Sequence, residues 1–311
     1  MRALIALGGN AMTAADGRAR VVDQLEAARV AMGAVAELVC GNVEVVLTHG
    51  NGPQVGNLLV KNELSASVVP PVPLDWCVAQ TQGSLGFVLM NALEAALAWR
   101  GSSRPTATVV TRMLVDAEDP GFAHPTKPVG RFLPEEEARP LRAHGETWED
   151  RGEPGWRRVV ASPEPVEILD APAIRALVEA GFVVVGNGGG GIPLVRNRDG
   201  SLRGVAAVID KDLGAALLAR SVDAQALVIA TDVTHAVVGF GTPQARPVER
   251  VSVTQMRALS TDGHFARGSM GPKVEAACRF VEQGGGYAVI TSLEHIRDAV
   301  AGTTGTVVVP G

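Results

Sequence analysis

Three glycine turns, each placed at the end of an apolar run, constrain this chain more than any other feature. Leu4-Ile5-Ala6-Leu7 runs into Gly8-Gly9-Asn10, and Val43-Glu44-Val45-Val46-Leu47 runs into Thr48-His49-Gly50-Asn51-Gly52. Phe182-Val183-Val184-Val185 runs into Gly186-Asn187-Gly188-Gly189-Gly190-Gly191, where five of six positions are glycine. Runs of this kind read as strands of an open α/β sheet, which binds ligands at the carboxyl ends of its strands. Glycine reaches φ > 0 and lets an oxyanion approach several backbone N–H groups at once. A single glycine run reads equally well as a flexible surface loop; three in equivalent places point to a site.

The remaining apolar segments alternate between the two periods. Helical spacing covers Arg20 to Val39, Pro53 opens a further helix, and a long apolar helix runs from Asp75 to Trp99 behind the cluster Pro70-Pro71-Val72-Pro73. Strand signals recur at Thr106–Val110, Val205–Ile209, Leu227–Ala230, Tyr287–Ile290 and Thr306–Val309. A hairpin with an Asp-Gly turn is expected between Leu194 and Leu202. Asp170 is read as the N-cap of a helix ending at Gly181, and Pro272 as the opening of one over Val274–Val281. This alternation implies a mostly parallel sheet covered on both faces. From Asp116 to Arg158 the pattern breaks, with six prolines and many charges. That stretch reads as an excursion from the sheet, a lid or a small subdomain; Phe122, Phe132, Trp148 and Trp156 argue against a disordered insert.

The net charge of −5 argues against a general nucleic-acid binder, because duplex affinity rests on cationic neutralisation of phosphates. Cys40, Cys77 and Cys278 lie far apart in no ligand spacing and read as buried thiols of a reducing compartment. With no signal peptide and no apolar run long enough to span a bilayer, a cytoplasmic location is expected. Of 28 basic residues only four are lysine. Lys61 looks like a helix-surface residue. Lys127 in Pro-Thr-Lys-Pro, Lys211 in Asp-Lys-Asp and Lys273 in Gly-Ser-Met-Gly-Pro-Lys mark places that need a compact ammonium rather than a planar fork.

A dinucleotide fingerprint over Gly186–Gly191 fails, since Pro193 and a hairpin follow where a helix must begin. No lysine is preceded by glycine, which excludes a P-loop. Glycine turns, three unusual lysines and a few aspartates suit phosphoryl transfer, in which a protein mainly positions anions and spreads positive charge. His49 reads as a backbone-bonding residue rather than a proton carrier.

The motifs Ala6-Leu7-Gly8-Gly9-Asn10-Ala11, Thr48–Gly56, Pro125–Gly130, Gly155–Val160, Gly188–Pro193, Val208–Leu213 and Gly268–Val274 together resemble those of the carbamate kinases, in the amino-acid kinase superfamily. The resemblance runs in order from the first strand to the last helix-and-strand pair. It implies a three-layer αβα sandwich around a mainly parallel sheet, with a protruding subdomain (about 116–158) inserted in the N-terminal half. Residues 1–200 would form a carbamate and carbamoyl-phosphate lobe and residues 201–311 a nucleotide lobe. It implies a homodimer, a place in arginine metabolism, and a reversible Mg²⁺-dependent reaction between ATP and carbamate giving ADP and carbamoyl phosphate. Mg²⁺ would be held mainly by the nucleotide phosphates, with no residue of the chain as a metal ligand. Related kinases carry a lysine in the first strand motif, which Lys127 would replace here.

On that basis Gly8, Gly9, Asn10, Gly50, Asn51 and Gly52 are expected to hold the carbamate and the phosphoryl group. Lys127, Lys211, Lys273 and Asp210 are the expected catalytic residues, Asp210 orienting the lysines or simply capping a helix. Gly189, Gly190, Thr231, Asp232, Met270 and Gly271, with Lys211 and Lys273, are the expected nucleotide contacts. Lys127 is expected on a weakly anchored segment that closes over the phosphoryl group. The chain departs from the family pattern at Thr234, Val237 and Gly239, where an aspartate, a tyrosine and an asparagine are usual. The alternatives are a sister kinase acting on another carboxylate and a non-catalytic sensor of nucleotide or carbamoyl phosphate.

Overall fold

The structure is a computed structural model that describes residues 1–9, 20–266 and 268–311. An eight-stranded sheet runs through its centre in the spatial order Arg250–Ser252, Thr306–Val309, Tyr287–Ser292, Ala226–Thr231, Arg2–Leu7, Glu44–His49, Val183–Val185, Thr106–Thr108. Every neighbouring pair is parallel except Tyr287–Ser292 with Thr306–Val309. The period of two sends Ala3, Ile5 and Leu7 to one face, where Met32, Val35 and Leu89 meet them. Leu4 and Ala6 go to the other face, against Ala277 and Phe280. Helices Val21–Cys40 and Leu74–Trp99 thus cover one side, and Ala171–Glu179, Lys211–Ser221 and Met270–Glu282 the other. This is the expected three-layer αβα sandwich. The hairpin Ile192–Arg196 with Leu202–Gly204 belongs to a second, four-stranded sheet with Arg112–Leu114 and Glu167–Ile168.

The excursion forms an antiparallel sheet of its own, Lys127–Leu133, Trp156–Val160 and Trp148–Asp150, with helix Glu135–Ala143 across it. Leu133, Ala138 and Trp148 close a small core there. Its first strand is well anchored, contrary to the sequence expectation. Val129 and Val160 are buried with Val55, Leu59 and Val78 of the neighbouring helices. A bulge between Val129 and Phe132, where Gly130 takes φ +69°, brings the strand against helix Gly52–Ser65.

Four further sequence readings are corrected. Val205–Ile209 is not a strand: only Ala207 makes a bridge, to Ala161, and Val208 and Ile209 are buried by packing rather than pairing. Asp170 stands at the N-cap position, but its carboxylate accepts hydrogen bonds from the Arg112 backbone at 2.7 Å and guanidinium at 2.7 Å instead of capping. Helix Met270–Glu282 begins two residues ahead of Pro272. Cys40 is exposed, while Cys77 and Cys278 are buried. No helix among the described residues is long and apolar enough to cross a membrane.

Candidate active site

Because Arg2–Leu7, Glu44–His49 and Val183–Val185 lie side by side, their three glycine turns meet at one end of the sheet. The meeting is tight enough to demand glycine. A Cβ on Gly50 would stand 2.9 Å from the Gly9 nitrogen, and one on Gly189, where φ is +67°, would overlap the Asn51 carboxamide. Buried polar side chains brace the turns. Asn51 Nδ2 donates to Thr81 Oγ1 at 2.9 Å, Thr48 Oγ1 to the Asn187 carbonyl at 2.9 Å, and Gln82 Nε2 to the Gly188 carbonyl at 2.9 Å. Gly8 and Gly50 use their N–H groups to extend the sheet, donating to Ala230 and Leu7. Their N–H groups are thus engaged within the fold, and what these glycines contribute here is the shape of the turn. Gly52 opens helix Gly52–Ser65, so its N–H has no acceptor within that helix, and the residue borders the cleft described below. Asn10 lies outside the described residues.

The three singled-out lysines converge on two aspartates. Lys127 Nζ lies 2.8 Å from Asp210 Oδ2, while Asp210 Oδ1 accepts from the Asp212 backbone N–H at 2.9 Å and caps helix Lys211–Ser221. Asp210 thus fills both roles considered for it, yet it grips Lys127 rather than Lys211 or Lys273. Those two share Asp212: Lys211 pairs with Oδ1, and Lys273 Nζ stands 3.0 Å from Oδ2. Sequence reasoning missed Asp212; the symmetry of Asp-Lys-Asp was its only signal.

Burial is severe here. It would raise the Asp212 carboxyl, but the Lys211 and Lys273 charges override it and hold that group at about 2. Burial likewise pushes the Lys211 ammonium below the usual lysine range, with Asp212 opposing and Lys273 adding to the shift. His49 is fully buried. Burial lowers it to about 4 despite its hydrogen bond to Gly50, and the charge of Lys211 adds to that effect. The ring is neutral at pH 7 and its Nδ1 donates to the Gly50 carbonyl at 3.0 Å, in agreement with a structural role.

A cleft of 850 Å³ opens between this end of the sheet and the antiparallel subdomain. Gly9, Gly50, Asn51, Gly52, Gly189, Lys127 and Lys211 border it, as do Arg20, Arg131 and Arg157. Among the described residues no carboxylate lines it, so a chain of net charge −5 presents a locally cationic cleft. The other expected nucleotide residues lie outside this cleft. Thr231, the last residue of the strand Ala226–Thr231, donates to Asp232 at 2.9 Å, and Met270 and Gly271 begin the helix that carries Lys273. The Gly271 N–H is engaged with the Ala266 carbonyl at 3.0 Å, and that of Gly190 with Asn187 at 3.1 Å. Val237 lies in a two-residue strand paired with Arg246–Pro247, and Gly239 follows with φ +68°.

No three His, Cys, Asp or Glu side chains converge as metal ligands among the described residues, and Asp210 and Asp212 are both committed to lysines. The donor set of the described residues does not fit a resident metal ion.

The amino acid kinase family model matches residues 1–292. A carbamate kinase of Thermococcus kodakarensis is 46% identical, with 99% of each chain covered. The carbamate kinase-like protein YahI of Escherichia coli is 45% identical, with 97% of each covered. The solved structure of Giardia lamblia carbamate kinase bound to AMP-PNP superposes with a TM-score of 0.94 at 39% identity, over 100% of this chain and 98% of that one. With the cationic cleft at the end of its parallel sheet and this likeness along its whole length, the chain belongs to the amino acid kinase family, among the carbamate kinases.

Proposed function

We propose that the protein catalyses the reversible transfer of a phosphoryl group between ATP and carbamate, forming ADP and carbamoyl phosphate. The observation that carries this reading is Asp212, which ties Lys211, on the acceptor cleft, to Lys273, at the start of the helix on the other side. A phosphoryl group passing between two anions needs positive charge along its path, and these lysines with Lys127 supply it. Carbamate attacks through an oxygen that is already ionised, so no general base is required. That agrees with a neutral His49 engaged in the backbone.

In this reading Gly9, Asn51 and Gly52 hold the acceptor and the phosphoryl group, with Gly189 behind them. Thr231, Asp232, Met270 and Gly271 border the nucleotide. Mg²⁺ enters as part of the nucleotide substrate, on its phosphates. A homodimer is supported by the outer surface of helices Val21–Cys40 and Leu74–Trp99. There Val22, Leu25, Phe87 and Trp99 are each exposed, Trp99 at 83%, and a groove runs between the two helices from Leu25 to Trp99.

The test is ATP formation by the pure protein from ADP and carbamoyl phosphate, with and without magnesium. Magnesium-dependent ATP is expected. ATP formed only from another acyl phosphate would assign a sister activity, and tight binding of carbamoyl phosphate without turnover would assign a sensor. Light scattering gives the mass of the species in solution, expected to be twice that of one chain.

A further inference from the structure

Resting on that reading, we infer that Arg157 is a second anion-binding residue of the cleft, holding the oxyanion of the acyl-phosphate substrate from the subdomain side. Arg157 lies in Trp156–Val160, paired with Phe132 on one side and Glu149 on the other. Its guanidinium sits over the Phe132 ring, 4.8 Å from the centroid. Its Nε is buried without a hydrogen-bond partner, and among the described residues its side chain makes no ion pair.

The neighbouring arginines differ. Arg158 pairs with Glu146 at 3.1 Å, Arg151 with Glu149, and Arg131 with Glu63 at 3.3 Å. In a subdomain so rich in glutamate, an arginine that is packed, half-buried and unpaired is a costly arrangement unless something else meets its charge. The aromatic ring fixes the plane of the guanidinium and leaves its donors to an outside partner. Among the described residues the cleft that Arg157 lines holds Lys127, on the subdomain strand, and Lys211, at the end of the main sheet, and no acid. A planar fork is the group that recognises a carboxylate or phosphate through two parallel hydrogen bonds. The lysines then serve the moving phosphoryl group as point charges, and Arg157 grips the substrate by shape.

The test compares Arg157→Lys and Arg157→Met with Arg158→Met, whose side chain lies outside the cleft. Steady-state rates should show KM for carbamoyl phosphate raised at least about tenfold in both Arg157 variants, with KM for ADP moving less than about twofold. Arg158→Met should leave both constants near the parent values. Arg157→Lys keeps a cation over Phe132, so a merely structural role would be restored by it. The inference fails if that variant has parental KM values.

A second readout needs no turnover. Inorganic phosphate should raise the melting temperature of the parent and raise it clearly less in Arg157→Met. If phosphate protects both equally, Arg157 is not an anion residue, whatever the activity. If protection depends on Arg157 but no ATP is formed, the subsite stands and the kinase reading falls.

Discussion

The Lys127 ammonium lies 2.8 Å from the carboxylate of Asp210, 83 positions further along the chain. One oxygen of that carboxylate holds the subdomain lysine while the other caps the helix that begins at Lys211. The lysine therefore stands at the cleft, tied to the element that carries Lys211.

Lys127→Arg should lower kcat about tenfold, and Lys127→Ala more. The wider fork of arginine cannot take the same point position beside Asp210. Thermal melts of both variants serve as controls for folding. A fully active Lys127→Arg enzyme would remove Lys127 from the site.

Lys211→Ala should lower kcat by at least about a hundredfold, the scale of losing one preorganised charge donor. Asp212 keeps Lys273 as its partner, so the variant should remain folded. Asp212→Asn is the harsher change. It leaves two ammonium groups without their carboxylate, and the expected loss is on the order of 3 kcal/mol in denaturant unfolding. A Lys211→Ala enzyme with near-parental turnover would show that the shared carboxylate is only structural.

Gly189→Ala should destabilise the protein by at least about 1 kcal/mol, because alanine dislikes the left-handed region and its methyl would displace Asn51 from Thr81. Urea unfolding measures this directly. Equal stability would mean that the turn relaxes freely, at odds with the buried network around it.

Acid should act in two windows. His49 is lowered to about 4 in the folded protein from 6.5, so the stability it contributes is complete above pH 6.5 and is lost as pH falls toward 4. Asp212 is lowered to about 2 from 3.8, so its contribution is complete above pH 3.8 and is lost between there and pH 2. The first window is worth roughly 3 kcal/mol and the second on the order of 2 kcal/mol. Denaturant unfolding of the parent and of His49→Gln across pH 4–8 checks the first. The slope should flatten in the variant, and an unchanged slope would assign it to another group.

Much of this was legible in the residues. Val183–Val185 and Ala226–Thr231 are nearly unbroken apolar runs, so their strands are visible from composition alone. Three glycine turns gave the site end of the sheet, and the scarcity of lysine gave its cations. What escaped depends on tertiary placement. Val205–Ile209 has the apolar look of a strand, but its neighbours offer only one bridge and bury it by packing. The subdomain strand Lys127–Leu133 carries proline, glycine and arginine, so no alternation marks it. Which carboxylate of Asp-Lys-Asp serves which lysine is fixed by Lys127 and Lys273 arriving from distant elements. Nothing within the tripeptide distinguishes them.

The central position of Arg2–Leu7 bears on how the chain is made in a cell. That strand leaves the ribosome ahead of both its partners, and Glu44–His49 follows soon after. Its other partner, Ala226–Thr231, is more than two hundred residues away. At roughly 5–20 residues per second, one edge of a strand that is apolar from Ala3 to Leu7 waits roughly ten to forty seconds for its partner. An unpaired edge of that kind recruits other strands. Soluble yield of this protein should accordingly respond to chaperone supply and to growth temperature during synthesis, even where the finished molecule is stable.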